Sequence, residues 1–90
     1  MPDIEPTAEA PPTWAFRNAL KGWAKANIRR AREEPKNGNA LTRAQVSAEL
    51  AVSVGVLARW ENPSDIAPGR TRLPRVVGWI ASRLLEEPPK

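Results

Sequence analysis

The sequence predicts an all-α fold, a compact four- to five-helix domain. Three observations carry that expectation. Apolar residues recur at spacings of three and four, the period of one helix face. No stretch alternates apolar and polar residues as a half-buried strand does. Cap residues and prolines also stand where helices would begin and stop, at Thr13, Pro35, Thr42, Ser53, Pro63 and Pro74.

Each element follows in order. Residues 1–12 hold Pro2, Pro6, Pro11 and Pro12 and too few apolar side chains to offset ordering entropy, so they read as a disordered, acidic, Pro-rich tail. Thr13 caps a first helix with the apolar stripe Phe16, Leu20, Trp23, Ala24, Ile28 and Ala31. Its other face carries Arg17, Lys21, Lys25, Arg29, Arg30 and Arg32. Pro35 stops this helix, and Asn37-Gly38 suits a turn. Thr42 and Gln45 have capping-box spacing and open a helix that buries Val46, Ser47 and Leu50 and fades near Ala51. Ser53 caps a short helix that buries Leu57 and Trp60 and ends at Asn62-Pro63. Residues 63–72 form a loop. Pro74 sits in the first turn of a last helix with the stripe Val76, Val77, Ile80, Ala81 and Leu84. The folded domain is expected over 13–86, with 87–90 a second disordered end. Trp23 and Trp60 lie on apolar stripes and belong to the core; Trp14 and Trp79 lie off them and either cap the core or face a partner.

Ninety residues suit one domain. The absence of Cys excludes disulfides, thiolate metal sites and cysteine nucleophiles. The absence of His removes the usual general base and the commonest nitrogen ligand. No catalytic residue, metal or cofactor is therefore expected, and an enzyme is not. No apolar run is long enough to span a membrane. The acidic, Pro-rich start does not resemble a signal peptide, so a cytoplasmic protein is expected. Charge is unevenly spread. Residues 1–12 carry Asp3, Glu5 and Glu9 without a base, whereas 13–85 hold thirteen of the fourteen basic residues against five acidic ones. A basic body with acidic ends is the footprint of a polyanion binder, or else solvated charge that keeps the chain soluble.

The two short helices, Thr42 to Ala51 and Ser53 to Asn62, have helix-turn-helix spacing. With Leu57 and Trp60 on the core, Val54, Gly55, Ala58 and Arg59 point outward, a small, apolar face with one cation. This motif, residues 42–62, resembles the helix-turn-helix of the Cro and lambda-repressor-like family. The resemblance is carried by Leu41-Thr42, Val46-Ser47, Leu50-Ala51-Val52-Ser53, Leu57-Ala58 and Arg59-Trp60-Glu61-Asn62. Two departures from the family pattern stand out. Ala51 stands where glycine is usual, and Val54, Gly55 and Val56 replace the polar residues that often begin the recognition helix.

The resemblance implies a double-stranded DNA partner, with the second helix in the major groove. Val54 and Val56 would meet thymine methyls and Gly55 would admit close backbone approach. Arg59 would contact guanine, or else a phosphate. Arg43, Ser53, Arg70 and Arg72 would hold phosphates. A transcriptional repressor acting as a homodimer on a palindromic operator is the resulting expectation, of the kind common in plasmids and phages and associated with the nucleoid. Trp79, Leu84 and Leu85 are the candidate dimer surface. With the folded body consumed by DNA binding, regulation would follow protein concentration, a co-repressor or another protein partner. The basic face of the first helix could add DNA backbone contacts, bind RNA, lie on an anionic surface or simply be solvated; pairing of Glu33 and Glu34 with Arg29 and Arg30 speaks against membrane binding. The alternative to a repressor is an antitoxin-like or accessory protein whose acidic tail engages a protein partner.

Overall fold

In a computed structural model, the chain is described over residues 13–89, with side chains from Ala15 onward. The tail 1–12, the capping expected of Thr13, the side chain of Trp14 and Lys90 lie outside the described residues. Those residues form four helices and no strand: α1 (Thr13–Glu33), α2 (Arg43–Leu50), α3 (Val54–Glu61) and α4 (Leu73–Leu84). The all-α expectation holds, with four helices.

Local signals set the boundaries. α1 ends at Glu33, two residues before Pro35. At the start of α2 the Thr42 hydroxyl accepts from the Gln45 amide at 3.1 Å, and the Gln45 side chain accepts from the Thr42 amide at 2.8 Å. That reciprocal box satisfies two amides left free by the helix start. At α3 the Ser53 hydroxyl accepts from the Val56 amide at 3.1 Å, and Asn62 ends the helix in an extended conformation before Pro63. Pro74 lies in the first turn of α4, where its missing N–H costs no hydrogen bond.

α1 and α4 pack along each other, and α3 lies against both α1 and α2. The core gathers Ala24, Ile28 and Ala31 from α1, Val46 and Leu50 from α2, Leu57 and Trp60 from α3, and Leu73, Val76, Val77, Ile80 and Leu84 from α4. Leu20, Trp23 and Trp79 pack against its edge. Leu84 is wholly buried, which corrects its assignment to a dimer surface: it completes the monomer core. The C-terminal segment is tied back to α1, since Glu86 pairs with Arg30 at 3.0 Å. Residues 86–89 have no helix or strand.

Arg83 fastens the connection between α1 and α2. Its Nε donates to the Ala31 carbonyl at 2.7 Å and its Nη2 to the Asn39 carbonyl. Its own carbonyl accepts from the Lys36 and Asn37 amides at 2.8 and 2.9 Å. The guanidinium also lies 5.2 Å from the centre of the Trp79 ring, within cation–π range. One arginine thereby satisfies three backbone polar groups of a loop that has no secondary structure of its own, the Lys36 and Asn37 amides and the Asn39 carbonyl.

Candidate nucleic-acid interface

The turn between α2 and α3 is built around Ser47 and Ala51. Ala51 is left-handed, with φ 57° and ψ 45°. The Ser47 carbonyl accepts from the Ala51 amide and, at 3.1 Å, from the Val52 amide. The Ser47 hydroxyl donates to the Val52 carbonyl. Ser47 is thus both small enough to be buried between helices and polar enough to close the turn. Ala51 thus takes a positive φ, and an L-residue there carries a strain that glycine would not.

The buried face of α3 is held by a carboxylate. Glu61 has only 2% of its side chain exposed. Arg32 of α1 grips it with two hydrogen bonds, Nε to Oε2 at 2.6 Å and Nη2 to Oε1 at 2.9 Å, and Arg43 of α2 adds Nε to Oε1 at 3.1 Å. Arg32 is further fixed by Glu33 at 3.0 Å and by donation to the Leu41 carbonyl. Burial pushes the Glu61 carboxyl upward, but the hydrogen bonds and charges of Arg32 and Arg43 outweigh it, and the group titrates below the usual carboxylate range. The bond to Glu61 likewise raises Arg32 above its ordinary value. One buried carboxylate therefore joins α1, α2 and α3.

The carboxyl end of α3 has its own cation. Lys25 Nζ donates to the Ile66 carbonyl at 2.5 Å and to the Arg59 and Trp60 carbonyls at 3.2 and 3.4 Å. The Arg59 and Trp60 carbonyls are among the last of α3, where positive charge is favoured, and Ile66 lies in the loop that follows. Lys25 and Arg32 therefore leave the outward basic face on which their spacing placed them: Arg32 is buried, and Lys25 is a cap for α3. Arg29 pairs with Glu33 at 3.0 Å, as their spacing predicts, whereas Arg30 reaches Asn27 and Glu86 and not the side chain of Glu34.

What remains outward on the motif is small. Val54, Gly55 and Arg59 are exposed, Ser53 lies exposed at the helix start, and Ala58 is half-buried. A Cβ at Gly55 would find its nearest non-adjacent atom, the Ser53 Oγ, 4.0 Å away, so packing inside the fold does not require glycine there. Arg59 keeps 62% of its side chain exposed, with Asp65 3.9 Å away. Val56 departs from expectation. It is half-buried against the core and not presented with Val54. Arg70 and Arg72 are exposed on the loop before α4, with neither ion pair nor side-chain hydrogen bond among the described residues. Arg43 is half-exposed, anchored through Nε to Glu61. Of the remaining dimer candidates, Leu85 is 67% exposed. The indole N–H of half-buried Trp79 donates to Glu49 at 2.8 Å, which bridges α4 to α2.

Sequence reasoning missed Glu61 as a hub and Lys25 as a cap. A signal for the first existed: Glu61 lies four residues after Leu57 and next to Trp60, on the buried side of a short helix. Nothing in the sequence pointed to Lys25, whose acceptors lie 34 to 41 residues away. Among the described residues there is no group of side chains that could hold a metal ion, and no helix is long and apolar enough to cross a membrane. Comparison with protein-family models, curated proteins and solved structures finds no match to this chain.

Proposed function

We propose that this protein is a sequence-specific double-stranded-DNA-binding transcriptional repressor that reads the major groove of a palindromic operator as a homodimer. The observation that carries the reading is the outward face of α3. It offers Val54, Gly55 and Arg59 to solvent on a helix whose opposite face is locked by Leu57, Trp60 and the Glu61 ion pairs. A rigid helix with a small apolar edge and one cation fits the width of the major groove, about 12 Å.

The chemistry follows from the side chains. Val54 meets a thymine methyl, and Gly55 lets the backbone approach where any side chain would stand between protein and base. Arg59 leaves its loose pairing with Asp65 to donate two hydrogen bonds to guanine O6 and N7, a contact worth about 1–3 kcal/mol of discrimination. The Ser53 oxygen accepts from the Val56 amide, so its hydroxyl proton is available to a phosphate. Arg70 and Arg72 neutralise phosphates, and Arg43 does so through its Nη groups while Nε stays on Glu61. A single motif reads few base pairs, so two copies on half-sites about 34 Å apart supply the affinity. Leu85 is the remaining exposed candidate for the surface between them. Occupancy of a promoter is then sufficient for repression, and the protein resides with the nucleoid.

Selection from random duplex DNA at near-physiological salt, with Arg59→Ala run beside the native chain, tests this. A two-fold symmetric site that relaxes at one base pair in the variant is the expected result. Weak binding with no enriched sequence and a steep salt dependence would leave only electrostatic attraction and overturn it.

A further inference from the structure

Near the start of both α1 and α4 their packing leaves an open groove of about 200 Å³. Phe16 and Leu20 of α1 and Pro74 and Val77 of α4 form its walls, and Phe16 is 37% exposed. Arg17 and Arg70 stand at its rim. Neither has an ion pair or side-chain hydrogen bond among the described residues. An apolar cleft between two uncompensated guanidinium groups suits an apolar side chain flanked by carboxylates.

Residues 1–12 carry that pattern once, as Asp3-Ile4-Glu5, in a stretch that includes Glu9 and no base. The segment enters α1 one turn before Phe16. The chain between Ile4 and Thr13 reaches about 30 Å when extended, whereas the helix rises only about 10 Å from Thr13 to Leu20. Covalent attachment holds such a segment at an effective concentration of about millimolar, so a modest contact suffices. We propose that residues 1–12 dock in cis on this groove, with Ile4 between α1 and α4 and with Asp3 and Glu5 on Arg17 and Arg70. Docking withdraws Arg70 from the surface assigned to phosphate, but the inference itself does not rest on the DNA reading.

Nuclear Overhauser contacts in the full-length, isotopically labelled protein, recorded without DNA, test it. Contacts from the Ile4 methyls to the Phe16 ring and Val77 methyls are expected, unchanged on dilution. They should be lost or weakened in an Asp3→Asn, Glu5→Gln variant, which keeps the Ile4 methyls and whose substitutions lie outside the helical body. Arg70→Glu should weaken them, and Glu5→Arg added to that variant should restore them. Absence of these contacts in the native chain would overturn the proposal. So would contacts seen only between differently labelled copies in a mixed sample, which would assign the groove to a second chain.

Discussion

Arg59 and Glu61 stand two residues apart on α3 and meet opposite environments. Glu61 is enclosed by three helices and held by two arginines, while Arg59 projects into solvent with one loose acidic neighbour. The same short helix thus presents one charge that is consumed in building the domain and one that is left over. The contrast extends to α1, where Lys25 and Arg32 are committed to α3 while Arg17 and Lys21 have no ion pair among the described residues. A tally of cations therefore overstates the charge available to a partner. What matters is which cations the fold leaves unpaired.

The largest effect should come from the buried side of this comparison. Glu61→Gln removes the buried counter-charge of Arg32, leaving it only the more exposed Glu33, and should cost up to about 3–5 kcal/mol in urea unfolding. A domain of this size has about 4–11 kcal/mol in total, so the variant should be close to unfolding. Replacing Arg32 and Glu61 together by methionine should recover much of the loss; failure to do so would mean that the pair specifies the packing and does more than satisfy itself. Acid should act on the same site. Because the folded carboxyl titrates below its unfolded value, its contribution is complete above the unfolded pKa and disappears as pH falls through the folded one. Stability should therefore drop on acidification below the usual carboxylate range, with a shallower slope in Glu61→Gln.

On the exposed side, Arg59→Ala should change unfolding by less than about 0.5 kcal/mol, while costing about 1–3 kcal/mol of discrimination at one base pair of a selected site. A large stability loss would erase the distinction between the two residues. Gly55→Ala sharpens it further. With space for a Cβ and a helical backbone, it should stabilise the fold by about 0.5 kcal/mol, yet weaken DNA binding if the backbone approaches the bases there. A similarly small effect belongs to the turn. Ala51→Gly relieves left-handed strain of about 1–2 kcal/mol, but frees the unfolded chain by about 0.4–1 kcal/mol. A net gain near 0.5 kcal/mol in thermal or urea unfolding is the expected balance.

Much of the motif was legible residue by residue. Thr42, Gln45 and Ser53 act on groups three positions away, and the prolines after Asn62 and at position 74 act on their immediate neighbourhood, so their consequences can be read from spacing alone. The resemblance marked Ala51 as a departure from glycine without settling its backbone, which the fold holds left-handed. The outward set was legible in part. Val54, Gly55 and Arg59 are exposed as their period requires, but Val56 leans on the core because α3 is short and lies against two helices. Leu84 was misplaced for a related reason: a residue at the edge of a stripe is buried or exposed according to which neighbour covers it, and α1 packs along α4.

By itself the sequence determined the helices, the amino-terminal caps at Thr42 and Ser53 and the spacing of the motif, because such a cap or a proline acts within one turn and requires no partner from elsewhere in the chain. Only the tertiary structure decided the fate of the charges. Arg32 reaches Glu61 across 29 residues, Lys25 reaches Ile66 across 41 and Arg83 reaches Asn39 across 44. The first is a buried ion pair, which must be matched where packing excludes water, and the other two reach backbone carbonyls that only the packed fold brings within range. Which cations remained for a partner was therefore settled by the way three helices enclose one carboxylate and α1 caps the end of α3.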